Sequence, residues 1–222
     1  MIAHYFRQLI EIFPFFLKGL WMTVAVSFLG LIFGTILGFI MGILRSRKSR
    51  LLNWPTGIFV SLIRGTPFVV QIFIVFFIFP EWGIQLDAFS AAVLALTILG
   101  TAFICEIVAG GIKAVPKGQW EASASSGLGI VKQLRFVIIP QAMQTILPPL
   151  VGQYVLLIKD SSVVSVIGVV ELTRVGWLTV VRIPEGLMIF SLVGILYFVI
   201  SYPLIRLSNG LERKMSVKQI SL

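Results

Sequence analysis

A few charged side chains in this 222-residue sequence stand inside stretches that are otherwise apolar. Arg64 lies in SLIRGTPFVVQ, Glu106 in AFICEIVAGG, and Lys159 next to Asp160 in LLIKDSSVVSV. A charge within an apolar block is costly in lipid, so it defaults to a functional reading. Gly65 and Pro67 weaken any helix around Arg64, because proline removes a backbone donor and glycine adds entropy to the unfolded chain. An unwound turn there would let Arg64, Thr66 and Gln71 line a polar pathway, since irregular backbone is tolerated where it faces a cavity. The other reading is a kink whose Arg64 pairs with a carboxylate, and the spacing leaves both open. Lys159 and Asp160 are adjacent, and neighbours on a helix point about 100° apart. They do not simply form one surface pair, so one of them faces a cavity or another helix. A substrate pathway and a structural ion pair both remain open. Glu106 reads as the structural partner of a basic loop residue.

The chain carries no set of catalytic groups. His4 is the single histidine and Cys105 the single cysteine. HExxH, GxSxG and paired intramembrane aspartates do not occur, and one cysteine excludes an internal disulfide or a CxxC metal site. We expect no catalytic residue, no metal and no cofactor. There is no GxxxxGK[ST] loop to cradle ATP phosphates. If ATP drives any process here, another chain must hydrolyse it.

The elements that position these residues follow from composition. The sequence is 58% hydrophobic and 12% charged, with mean hydropathy +1.01. A water-soluble domain would need more polar surface than this, so the class is an integral membrane protein. Its net charge of +9 suits the basic cytoplasmic loops of such a protein, and no nucleic-acid partner is expected. The N-terminal residues MIAHYFRQLIEIF lack the pattern of a cleavable signal peptide.

A spanning helix needs roughly 20 apolar residues. Segments qualify at about Gly19–Leu44, Leu51–Phe79, Ala88–Gly111, within Phe136–Val170, and at Gly186–Leu207. The expected fold class is therefore an all-α membrane protein with five transmembrane helices, forming a single domain over residues 1–222. Basic residues collect in RSRKSR (Arg45–Arg50), in the loop from Lys113 to Arg135, and in the tail with Arg213, Lys214 and Lys218. The opposite loops are poor in them: PEWGIQLDAF has none, and Arg174 and Arg182 are balanced by Glu171 and Glu185. The positive-inside rule then places the N-terminus outside and the C-terminus in the cytoplasm. Gly30, Gly34, Gly38 and Gly42 share one face of the first span, and small residues let helices approach closely in lipid. The plainer reading is a helix contact within the chain, the other a dimer interface.

The loop between the third and fourth spans contains GQWEASASSGLG (Gly118–Gly129), an island of small residues. Pro116 suits the first turn of a helix, and Gly127 and Gly129 its stop. Trp120, Ala124 and Leu128 share one face. A second short helix is expected from Ile130 to about Ile139, closed by Pro140. Together these make a compact cytoplasmic knob whose Ala and Ser side chains leave room for another protein. An amphipathic helix resting on the membrane surface fits the spacing equally.

The segment EASASSGLGIVKQLRFVIIPQA resembles the EAA loop of ABC-importer permeases, matching at Glu121, Ala122, Gly127, Ile139 and Pro140, with Ser123 in place of the second Ala. RGTPFVVQ, GGIKAVPKGQWEA, LPPL and KDSSVVSVIGVVELTR extend the likeness over nearly the whole chain, to the polar amino-acid permease subfamily. The resemblance implies a dimer with a second permease subunit, identical or paralogous, in a bacterial inner membrane and in contact with lipid. It implies that the loop at about residues 113–140 docks on a cytoplasmic ABC ATPase dimer, and that an extracytoplasmic solute-binding protein delivers a polar amino-acid substrate. By the same resemblance Gln119, Glu121, Ala122, Gly127 and Leu128 are the ATPase-coupling residues. Arg64, Thr66, Gln71, Thr101, Lys159, Asp160 and Ser161 line or brace the substrate path. The chain departs from the family where Leu99, Gly100 and Phe103 replace a polar run and Ala109 stands for an Arg. No substrate contact carries over from those positions. The competing function is an ion-coupled transporter or channel working alone, and a third is an intramembrane enzyme. Five spans cannot split into the equal halves that many secondary transporters show.

Overall fold

The computed structural model describes residues 2–47, 49–183 and 185–220, with side chains described for 10–47, 49–183 and 185–215. Lys48 and the side chains of His4 and Lys218 therefore lie outside the described residues. Among these residues the chain is helical and has no strand.

Helix α1 covers Ile2–Ser46 and α2 covers Arg50–Gly65. Thr66 and Pro67 are extended, and α3 (Phe68–Phe73) leads through a π turn at Ile74–Ile78 into a 3-10 turn at Phe79–Trp82. The two arms, Arg50–Gly65 and Phe68–Trp82, meet at 108°. The break falls at the Gly65–Pro67 site that the sequence marks, because Pro67 disfavours helical backbone at Thr66. Helix α4 covers Ala88–Lys113, α5 Lys117–Ser125, α6 Ile130–Gln133 and α7 Ile139–Asp160. A 3-10 stretch at Ser161–Ile167, α8 (Leu172–Val180) and α9 (Gly186–Ile220) complete the chain. Among the described residues four helices are long and apolar enough to cross a membrane, or five if the bent pair is one span.

One expectation is corrected. The helix after the knob does not end at Pro140, which is the second residue of α7. A π turn at Leu134–Ile138 joins α6 to α7. Pro140 has no N–H to give, and its ring crowds the carbonyl four residues back. The wider turn accommodates both defects, so the helix continues. The π turn at Ile74–Ile78 likewise directly precedes a proline-bearing turn, at Pro80.

The chain divides into two compact units, with one boundary at the Thr66–Pro67 break and the others within helices. The first joins Met1–Ile32, Pro67–Thr97 and Leu156–Pro203. Its core holds Phe16, Leu172, Val175, Ile189 and Val193. Here α3 packs against the 3-10 stretch at Ser161–Ile167. The second joins Phe33–Thr66, Ile98–Val155 and Leu204–Leu222. Its larger core runs along α4 and α7, through Ile104, Val108, Ile112, Ile138, Ala142 and Ile146. A Cβ on Gly38 would stand 2.7 Å from Ile104 Cβ, and one on Gly42 would stand 2.6 Å from Val108 Cβ. In the first unit, Gly30 meets Leu96 in the same way. These glycines therefore serve contacts between α1 and α4 within the chain. Lipid offers no hydrophobic drive for such contacts, and close backbone approach supplies dispersion instead.

Candidate functional site

The knob is built from α5, a glycine turn and α6. Pro116 precedes α5, and after Ser125 the turn closes with the Gly127 N–H donating to Ala124 O at 2.9 Å. Gly127 has φ +75°, in the left-handed region that glycine enters without strain. Gln133 is buried and its Nε2 donates to Leu128 O at 2.5 Å, which pins the turn onto α6. Gln141 Nε2 donates to Gln119 Oε1 at 3.2 Å and ties α5 to α7. Half-buried Trp120 packs on the α4–α7 core, and Ser123 is buried beneath α5 with its Oγ donating to Trp120 O. What remains outward is Gln119, Glu121, Ala122 and Gly127, all exposed, with Leu128 half-buried. This is a small-residue surface on a rigid base.

The polar residues of the spans are placed as follows. Arg64 Nη1 lies 3.6 Å from Glu106 Oε2, and the same oxygen lies 3.0 Å from Arg45 Nη2. Arg45 Nη1 also donates to Thr56 O at 3.3 Å. The Arg64 guanidinium sits 5.4 Å from the centre of the Phe103 ring. The chain bends beside Arg64 and the arginine pairs with a carboxylate, which is the kink reading of this residue. Phe103, one of the positions that depart from the family pattern, supports the arginine. Glu106 serves the basic end of α1, as its position suggested. Thr66 is exposed and its Oγ1 donates to Leu62 O at 2.8 Å, while Thr101 is buried. These residues belong to the second unit.

In the first unit Gln71 is buried on α3 and Ser161 is buried, with its Oγ donating to Ile158 O at 2.6 Å. Lys159 is exposed and Asp160 half-buried, and no salt bridge joins them among the described residues.

Sequence reasoning missed the polar centre of the first unit. Glu171 is fully buried and caps α8, accepting from Arg174 N at 2.7 Å and Thr173 N at 2.8 Å. Tyr197 Oη donates to its Oε2 at 2.8 Å. Thr23 Oγ1 accepts from Leu172 N at 3.1 Å, so α1, α8 and α9 meet at this carboxylate. Burial pushes the Glu171 carboxyl above its ordinary value, and the hydrogen bonds it receives pull the other way. Glu171 and Arg174 balance in the charge count of their loop, but they form no ion pair among the described residues. Arg174 stacks on Trp177 at 4.7 Å, and Glu171 is held by neutral donors. Glutamate at the start of a helical pattern was the one available signal, and its distant partners Thr23 and Tyr197 were invisible in sequence. Arg45 and Gln133 were missed for the same reason.

A helical chain with four or five apolar spans, charged residues at a helix break, and a small-residue knob between two spans is a polytopic membrane protein. Residues 34–217 match the family of binding-protein-dependent transport system inner membrane components, and the chain belongs to that family. It is 38% identical over 203 residues to the L-cystine transport system permease protein TcyB of Bacillus subtilis (strain 168), covering 91% of this chain and 87% of that one. It is 36% identical over 206 residues to the glutamine transport system permease protein GlnP of Escherichia coli (strain K12), covering 92% and 94%. Among solved structures, an amino acid ABC transporter crystallised with histidines superposes with TM-score 0.84 at 32% identity, over 94% of this chain and 98% of that one.

Proposed function

We propose that this chain is the membrane-spanning permease subunit of an ATP-binding-cassette importer for polar amino acids. The observation that carries the reading is similarity over more than nine-tenths of the chain to amino-acid permeases. It is a transport subunit and not an enzyme, and a separate ATPase supplies hydrolysis. The knob, within residues 113–140, is the contact through which an ATPase dimer moves the spans. Its exposed Gln119, Glu121, Ala122 and Gly127, with Leu128 at the turn, meet that partner. The support is physical: Gln133 holds the turn to α6 and Gln141 ties α5 to α7, so the knob is linked directly to a span.

Arg64, Thr66, Gln71, Thr101, Lys159, Asp160 and Ser161 line or brace the substrate path on this reading. A second permease subunit, identical or paralogous, and an extracytoplasmic solute-binding protein complete the importer. The N-terminus faces outward and the C-terminus the cytoplasm. The cluster of basic residues around Arg45–Arg50 and Lys113–Arg135 supports that orientation.

The test uses Glu121→Lys and Gly127→Asp in the assembled transporter. A Cβ at Gly127 meets nothing within 4 Å, so the change strains the turn without a core clash. Both variants should insert in the membrane and lose stimulation of ATP hydrolysis by the loaded binding protein. Normal stimulation in both would refute the coupling role.

A further inference from the structure

Within the second unit, beside the knob, the ends of α1 and α4 and the start of α5 line an open cavity of about 710 Å³. Its polar lining carries Arg47, Lys113 and Lys117 against one carboxylate, Glu121. None of the four forms an ion pair among the described residues, whose pairs are Arg45–Glu106 and Arg64–Glu106. Arg47 Nε is buried and has no hydrogen-bond partner. A guanidinium N–H left in that condition is unfavourable unless an acceptor arrives from elsewhere. Arg45, two residues earlier, shows the contrast: both of its Nη atoms have acceptors, Glu106 and Thr56.

The rest of the lining is largely apolar, with Ile112, Val115, Trp120, Ile130 and Leu134. Val131 and Phe136, near Ile130 and Leu134 in sequence, are 70% and 63% exposed. The site thus pairs an excess of cations with a greasy surface at the point where two spans end. A soluble anion would satisfy the cations and leave the apolar lining wet. A zwitterionic lipid would cover that lining and carry its own cation towards three others. An anionic phospholipid does both, with acyl chains along the apolar lining and a headgroup phosphate on the basic residues.

We propose that this cavity binds an anionic phospholipid, with the headgroup phosphate accepting from Arg47, Lys113 and Lys117. The proposal rests on the reading that the knob lies at the cytoplasmic leaflet. Because Lys113 ends α4 and Lys117 begins α5, the lipid would brace the knob against the spans.

The experiment is native mass spectrometry of the assembled transporter, permease with ATPase and binding protein, re-equilibrated with phosphatidylglycerol or with phosphatidylcholine. The wild type should retain phosphatidylglycerol in preference. Arg47→Gln and Lys113→Gln should each weaken that retention about fivefold, the effect expected for one basic residue at a membrane surface. Lys113→Arg should restore it, which separates lost charge from lost folding. Excess inorganic phosphate should not displace the lipid. Equal retention of the two lipids, wild-type retention in both Gln variants, or displacement by phosphate alone would overturn the proposal. So would retention that disappears whenever the ATPase is bound, because the cavity would then be the ATPase's own socket. ATP-driven uptake by the same samples reports the permease reading separately. Uptake without lipid preference sinks the lipid site alone, and lipid preference without uptake sinks the permease reading alone.

Discussion

Replacing Glu171 by alanine removes the acceptor for three close donors, at 2.7 Å (Arg174 N), 2.8 Å (Thr173 N) and 2.8 Å (Tyr197 Oη). Loss of a helix cap costs about 1 kcal/mol, with a range of roughly 0.5–2. Leaving the buried Tyr197 hydroxyl unpaired adds about 1–3 kcal/mol. The sum is about 3 kcal/mol. At roughly 2–4 °C per kcal/mol for a chain of this size, thermal melting should fall by roughly 6–12 °C. Glu171→Gln should fall less, because its amide keeps one oxygen while its NH2 faces donors.

The pH dependence has a defined sign. Burial raises the folded-state carboxyl above its ordinary value, so the folded protein binds the proton more tightly than the unfolded chain. Stability is then greatest below the ordinary carboxylate value and declines as pH rises through the raised one. Glu171→Gln removes this decline. The assay is intrinsic-fluorescence melting of the purified protein in detergent across that pH range, for wild type and both variants. An alanine variant within about 1 kcal/mol of wild type, or a glutamine variant that keeps the wild-type pH slope, would refute the reasoning.

Further outcomes follow from other contacts. Gly42→Ala should destabilise by about 1–3 kcal/mol through overpacking, read as a lower melting temperature, since its Cβ would stand 2.6 Å from Val108 Cβ and 2.9 Å from Cys105 O. Glu106→Gln should cost only about 0.5–1 kcal/mol, because its side chain is 39% exposed, and added salt should shrink the difference between wild type and variant. Gln133→Leu should release Leu128 O and speed amide hydrogen exchange across residues 126–133, while exchange in the core of α4 stays at the wild-type rate.

The spans were legible because lipid imposes one requirement, a long apolar helix, that hydropathy reads directly. The 108° bend was legible too, since Gly65 and Pro67 act through local backbone sterics. The same holds for the knob's turn at Gly127. The passage of the helix through Pro140 was not, because proline-centred reasoning stops a helix and does not foresee the π turn that carries it on. Of the polar residues, Glu106 was placed by its nearness to a basic loop. Glu171 looked like an ordinary loop acid, because what buries it comes from α1 and α9, 148 and 26 residues away in sequence. Arg64 was read as two alternatives because sequence shows the break and the charge but not Phe103 and Glu106 gathered beside them.

The central claim is that this chain moves a solute only when a separate ATPase drives it through the knob. The most direct measurement is uptake of a polar amino acid by proteoliposomes holding the permease, with and without its ATPase and binding protein, in wild type and in Glu121→Lys. The account predicts ATP-dependent uptake by the complete wild-type assembly, and none from the permease alone or from an assembly carrying the correctly inserted variant. Uptake by the permease alone, at a rate that neither ATP nor the Glu121 substitution alters, would contradict it.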